Sequence, residues 1–301
     1  MTATVWLASY PKSGNTWFRL LLANLGADAP TDINELHERG NIASARGLFD
    51  ANLLIESGLL THEEADNLRP LVYKLLSSGR EIANDEVEHL GGARFMKVHD
   101  AYVTTGKGEP LLAGAHGAVG AIVIVRDPRD IAPSLANHMR LDLDGAIDFM
   151  ARRGAAFCGT RRGQPNQLRQ RLLDWSGHVA SWLEQSDIPT HLIRYEDLMA
   201  DTPGVLAAAL AFAGQDATAE EISRAVEFSS FAELRRQERE RGFREAPRPH
   251  APGAFFRRGE TGAWRHELSP EQAARLEDRH GGMMRKLGYD LSGPARAVRS
   301  A

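Results

Sequence analysis

Residues 121–125 read AIVIV, five consecutive apolar residues, four of them β-branched. A strand that is apolar on both faces must be covered on both. The run therefore predicts a central strand of a mostly parallel sheet with helices above and below. Three other short runs have a similar character: TVWLA at 4–8, RFMKV at 94–98 and HLIRY at 191–195. Between them the apolar spacing changes to the helical period. Trp17, Leu20 and Leu21 form a stripe after the first run. Leu172, Trp175, Val179, Trp182 and Leu183 form another in a helix predicted over 168–184. Further helices are predicted over 52–57, 63–76, 205–213, 219–226 and 271–287. Thr61-x-x-Glu64 is a capping box before the second of these. Asp127 and Pro128 are suited to cap and open the helix that follows residues 121–125. Pro133 would sit inside that helix, so it either begins nearer Asp130 or bends. The alternation predicts an α/β fold, a three-layer sandwich with a mostly parallel central sheet and helices on both faces. Residues 26–92 read as a helical cover, and 235–262, basic and rich in Gly and Pro, as irregular. No repeat or linker divides the chain, so one domain over 1–301 is expected.

Composition narrows the function classes. Lys plus Arg is 36 and Asp plus Glu is 40, a net charge of −4. This argues against non-specific nucleic-acid binding, which needs a basic excess. The most apolar run, 111–125, is shorter than the roughly 20 residues needed to span a bilayer. It also holds His116 and three glycines. The N-terminus lacks the basic start and apolar stretch of a signal peptide. With Cys158 as the single cysteine, no intramolecular disulfide is available. A cytoplasmic protein is expected.

The turn after the first run carries the strongest local signal. Tyr10-Pro11-Lys12-Ser13-Gly14-Asn15-Thr16-Trp17 links a strand to a helix, the position where open α/β sheets bind ligands. Its backbone N–H groups and the helix N-terminus suit an anion. Gly14 permits the tight turn, Lys12 adds a point charge, and Ser13, Asn15 and Thr16 add donors. Lys12 precedes the glycine, unlike the G-x-x-x-x-G-K-[ST] order of nucleoside-triphosphate loops. A phosphate-binding turn is still compatible with a small-molecule kinase, for which Asp127 is the placed acidic residue, or with a catalytically silent nucleotide-binding protein.

YPKSGNTW resembles the 5′-phosphosulfate loop of the sulfotransferases that use 3′-phosphoadenosine 5′-phosphosulfate (PAPS), and four later stretches resemble that family in the same order. VIVRDPRDIAPSLANHM at 123–139 is similar to its 3′-phosphate segment, with Arg126 and Ser134 eight residues apart. Lys97-Val98-His99 is similar to the strand end that holds a lysine and the general-base histidine. Asp100-Ala101-Tyr102 departs from the Leu-Pro that often follows in animal members. Arg194-Tyr195-Glu196-Asp197-Leu198 resembles the segment whose tyrosine lies near adenine. Arg257-Arg258-Gly259-Glu260-Thr261-Gly262-Ala263-Trp264 resembles the loop that closes over the 3′-phosphate. Ser229 and Phe231 fall where the family places a hydroxyl and an aromatic beside adenine.

The resemblance implies a P-loop-like fold and sulfuryl transfer to a small-molecule hydroxyl or amine. Lys12 and residues 13–16 would hold the 5′-phosphate. Arg126, Ser134, Arg257, Arg258 and Gly259 would hold the 3′-phosphate. Trp17, Tyr195, Ser229 and Phe231 would line adenine. His99 would take the acceptor's proton while Lys12, with Lys97 nearby, meets the charge on the leaving phosphate. No metal is expected, since lysines and backbone donors can replace Mg²⁺ for a group with one charge fewer than a phosphoryl. The acceptor and the oligomeric state are not legible. The helix at 271–287 lacks the Lys-Thr-Val-Glu type dimer signature of animal members.

Overall fold

The computed structural model describes residues 3–36, 42–79, 93–160, 166–246, 255–257 and 259–292. In chain order the elements are β1 (Ala3–Ser9), α1 (Asn15–Ala23), α2 (Arg46–Leu53), α3 (His62–Ser77), β2 (Ala93–Val98), β3 (Gly120–Val125), α4 (Pro128–Met139) and α5 (Leu143–Met150). Two-residue strands β4 (Ala156–Phe157) and β5 (Gln170–Arg171) pair antiparallel. Then come α6 (Trp175–Leu183), β6 (Thr190–Arg194), α7 (Tyr195–Ala200), α8 (Thr202–Phe212), α9 (Ala219–Phe228), α10 (Phe231–Arg241), α11 (Trp264–Glu267) and α12 (Pro270–Lys286).

The four longer strands form one parallel sheet in the order β2-β1-β3-β6. Side chains alternate across it as strand geometry requires. Trp6, Ala8, Met96, Val98, Val123 and Val125 join one core with Tyr73 of α3, Trp175 and Trp182 of α6 and Met284 of α12. Val5, Leu7, Ile122 and Ile124 join the other with Phe18 and Leu21 of α1, Leu206 of α8 and Ile222 of α9. Helices therefore cover both faces, giving the P-loop-like three-layer sandwich. The AIVIV run is fully buried, as a two-faced strand demands.

Register brings the strand ends together. Ser9 pairs with Ile124, Ala8 with Val98, and Val125 with Arg194. The segments that leave these ends, 10–14, 99–100, 126–127 and 195, share one edge of the sheet. β1 lies between β2 and β3, so the strand order reverses at the turn carrying Lys12.

Several boundaries differ from the sequence expectation. The helix expected over 168–184 begins only at Trp175, capped by Asp174, whose carboxylate accepts from the Gly177 amide. Before it, Leu168 N–H bonds to Ser44 O (2.7 Å) and Leu172 N–H to Ala155 O (2.9 Å), so distant backbone claims these residues. The helix expected at 52–57 is displaced to Arg46–Leu53. Residues 235–241, expected to be irregular, belong to α10. α4 begins at Pro128 behind the Asp127 cap and runs through Pro133 to Met139, rather than starting nearer Asp130. Both sequence-predicted features of α3 hold: Thr61 and Glu64 form the capping box. Among the described residues no helix is long and apolar enough to cross a membrane.

Candidate active site

A cavity of about 950 Å³ opens over the carboxyl ends of the strands. The turn after β1 forms part of its floor. Lys12 and Gly14 both adopt positive φ, 71° and 103°, and Gly14 caps α1. A Cβ on Gly14 would stand 2.6 Å from the Tyr195 ring, so both backbone and space require glycine there. Asn15 locks the turn to β1 by donating from Nδ2 to Leu7 O (2.9 Å) and Ser9 Oγ (3.2 Å). Lys12 Nζ lies 3.7 Å from the centroid of Phe255. Burial, with repulsion from Lys97 and Arg126, brings the Lys12 ammonium down to about 7, against the pull of Glu245. Ser13 departs from expectation. It is fully buried, is absent from the cavity lining, and its hydroxyl has no partner among the described residues.

His99, just past β2, has its tautomer set by the backbone. Its Nδ1 lies 2.8 Å from Ser9 O, and a carbonyl can only accept, so Nδ1 carries the proton. Nε2 is then the basic nitrogen, on a residue that lines the cavity. Burial and the neighbouring Lys97 hold the imidazole well below its ordinary value, so it is neutral. The backbone around it is anchored from behind. His178 Nε2 donates to His99 O (3.2 Å), and Trp182 Nε1 donates to Asp100 O (3.0 Å). The Asp100 carboxylate, fully buried, accepts from Arg69 Nη2 (2.6 Å) and Arg171 N (2.8 Å).

Sequence reasoning missed Glu245. Its carboxylate pairs with Arg19 (2.7 Å) and Lys97 (3.2 Å) and accepts from Thr16 Oγ1 (3.3 Å). Burial alone would raise its pKa, but the fields of Lys97 and Arg19 carry it well below the carboxylate range. Burial lowers Lys97, with Glu245 opposing the shift. No local signal marks Glu245, because its partners lie 148 and 226 residues away.

At the other end Arg126 reaches from β3 into the cavity. Its Nη1 donates to Lys12 O (3.4 Å) and its Nη2 to Glu260 O (3.1 Å). Its guanidinium carbon lies 4.3 Å from the centroid of Tyr195. It forms no ion pair among the described residues, and its Nε is buried without a partner there. Asp127 instead caps α4 and pairs with Arg129 (2.7 Å). Asp130 accepts from the amides of Gly262 (2.6 Å) and Trp264 (2.9 Å), fastening the later loop to α4. Ser134 lines the cavity one turn further on, as do Arg257 and Gly259. Arg257 is paired with Glu267 (2.6 Å). Gly259 has φ 64°, and a Cβ on it would collide with Phe231. Arg258 lies outside the described residues.

The aromatic end is compact. Trp17 and Tyr195 meet edge to face, with centroids 5.9 Å apart. Trp17 Nε1 donates to Ser229 O (3.0 Å), and Ser229 Oγ accepts from Asn24 (3.0 Å). Phe231 completes this wall. Thirteen of the expected residues thus meet in one cavity together with His99. Asp130 and His138 join them unforeseen, although their four-residue spacing from Ser134 could have placed all three on one helix face.

Comparison with known proteins decides the family. Residues 2–288 match the profile of the sulfotransferase domain. The chain belongs to the sulfotransferase family. This sulfotransferase is 24% identical to luciferin sulfotransferase of Photinus pyralis over 287 residues, which cover 90% of this chain and 69% of that protein. It is 28% identical to amine sulfotransferase of Oryctolagus cuniculus over 108 residues, 34% of this chain. That match spans only 36% of the rabbit protein. A retinol dehydratase solved with androsterone and inactive cofactor PAP is 21% identical with a TM-score of 0.57, covering 97% of this chain and 83% of its own. A mouse sulfotransferase complexed with PAP is 20% identical with the same score, covering 94% and 84%. These two share the fold.

Proposed function

We propose that this sulfotransferase moves the sulfuryl group of PAPS to a hydroxyl or amine of a small-molecule acceptor, with His99 as general base. The observation that carries this is the hydrogen bond from His99 Nδ1 to Ser9 O, which leaves a neutral, basic Nε2 on the cavity shared with Lys12 and Arg126. Both solved neighbours hold PAP, the desulfated nucleotide, in their structures. The cavity suits such a donor. Lys12 and the N-terminus of α1 would take the 5′-phosphate. Arg126, with its unpartnered Nε, would take the 3′-phosphate together with Ser134, Arg257, Arg258 and the Gly259 amide. Trp17, Tyr195, Ser229 and Phe231 would hold adenine.

In the transfer, His99 Nε2 takes the acceptor proton as the acceptor oxygen or nitrogen bonds to sulfur. The bond from sulfur to the bridging oxygen breaks, and Lys12 stabilises the charge that collects there. Asp127, the carboxylate a metal-dependent kinase would use, is committed to capping α4 and to Arg129 and does not line the cavity. We expect His99→Ala to abolish release of PAP from PAPS in the presence of acceptor, while calorimetry shows PAP affinity within a few-fold of the parent. Turnover retained within a few-fold would remove His99 from the base role.

A further inference from the structure

One face of α4 crosses the cavity. Asp130, Ser134 and His138 follow at four-residue intervals and all line it. Each interval advances about 6 Å along the helix. Asp130 is taken by the Gly262 and Trp264 amides, and Ser134 is the residue proposed above to face the 3′-phosphate. His138 is at the opposite end, with its ring centroid 6.1 Å from that of Phe157 in β4. His99 and His138 line the same cavity. His138 is therefore on the wall of the cavity that an acceptor must enter to reach the base.

The chemistry of this wall is polar but uncharged. Burial, with repulsion from Lys12 and Lys97, brings His138 down to about 4, so it is neutral and offers one donor and one acceptor nitrogen. Its Nδ1 is buried with no hydrogen-bond partner among the described residues. Gln170 of β5 lines the same cavity and is 2% exposed. Its Nε2 donates to Gln167 Oε1, while its own Oε1 is buried without a partner. Asn166 and Gln167 extend the wall. His138 and Gln170 both line the cavity as uncharged hydrogen-bonding groups, and a bound molecule that pairs them gains what a purely apolar one does not. The ammonium groups of Lys12 and Lys97 nearby disfavour a cationic acceptor.

We propose that His138 and Gln170 read additional hydroxyls of the acceptor, and that the acceptor class is a neutral polyhydroxylated molecule such as a sugar, a polyol or another diol. This rests on the sulfuryl-transfer reading of the same cavity. A single hydroxyl suffices for the reaction at His99; the further hydroxyls serve recognition. A monohydric acceptor of the same skeleton leaves both side chains without a ligand partner, and sites of this kind discriminate strongly against analogues lacking the hydroxyl.

Matched pairs test the idea: catechol against phenol, and 1,2-cyclohexanediol against cyclohexanol, each with PAPS and with sulfated products measured by mass spectrometry. The parent protein is expected to favour the diol at least tenfold in kcat/KM in one pair or both. His138→Phe should collapse that ratio to within about twofold, the loss falling on the diol. His138→Gln, which keeps a donor and an acceptor, should retain part of it, and Gln170→Leu should shift it the same way as His138→Phe. PAP affinity measured on each variant shows that it is folded. Equal use of diol and mono-ol by the parent, or an equal loss on both in His138→Phe, overturns the acceptor class and leaves sulfuryl transfer standing. Absence of sulfated product from every acceptor, with PAP still bound, overturns both.

Discussion

Lys12 is the residue at which geometry and charge meet most directly. It has the left-handed backbone of the turn proposed to hold the 5′-phosphate, and its ammonium is desolvated beside two other cations, Lys97 and Arg126. Burial with that repulsion brings it down to about 7, with Glu245 opposing. A bound dianion favours the charged lysine and raises its pKa. Above pH 7 the free protein must therefore take up a proton to bind. Between the free and bound pKa values affinity falls by up to tenfold for each pH unit gained. PAP binding is expected to tighten as pH drops from 9 to 7. Calorimetry near pH 8 in buffers of different ionisation enthalpy should show proton uptake. Lys97 shifts in the same direction, so a variant must assign the effect. Lys12→Arg stays charged throughout and should flatten the profile. A Kd independent of pH in the parent would contradict this account of the turn.

At the scale of elements, α3 and the segment leaving β2 are joined by a charge pair sealed from solvent. Arg69 and Asp100 are both 0% exposed, with Nη2 2.6 Å from the carboxylate. Asp100 directly follows His99, so the pair anchors the segment that presents the base. Truncating one partner leaves the other buried and uncompensated. Arg69→Met is expected to lower unfolding free energy by about 3–5 kcal/mol, and Arg69→Met with Asp100→Leu to recover a large part. Urea unfolding measures both, and a loss below about 1 kcal/mol in the single variant would show that the pair is not structural. This pair was not legible in the sequence, where Arg69 lies in a polar helix and Asp100 in a loop. What was legible is local. The β-branched runs, the Gly14 turn, the Thr61 capping box and the Asp127-Pro128 helix start each depend on neighbours within a few residues, and each holds in the structure. The segment 168–174 misled for the opposite reason, since Leu168 and Leu172 have helical spacing while their amides bond to Ser44 and Ala155. Glu245 was invisible on the same grounds.

For the whole molecule, the cavity joins parts of the chain that are remote in sequence. Its floor comes from the ends of β1, β2, β3 and β6, and its other walls from Phe231, Glu245, Phe255, Arg257 and Gly259. A nucleotide touching both sets links the first strand to the last third of the chain and should stabilise the fold as a unit. Saturation to 100 times Kd adds about 2.7 kcal/mol through mass action alone, which is expected to raise the melting temperature by several degrees. The two ends of the nucleotide can be separated by ligand as well as by mutation. Arg126→Ala should weaken PAP binding by about 2 kcal/mol or more, the scale for removing one partner of a desolvated charge pair. AMP, which lacks the 3′-phosphate, should bind the parent more weakly than PAP does. If Arg126 faces that phosphate, the advantage of PAP over AMP shrinks in Arg126→Ala, because the contact is already gone and the two losses are not additive. Calorimetry on the four combinations gives the coupling directly. An advantage of PAP over AMP that is the same in both proteins would move the 3′-phosphate away from Arg126 and reverse the orientation of the donor along the sheet edge.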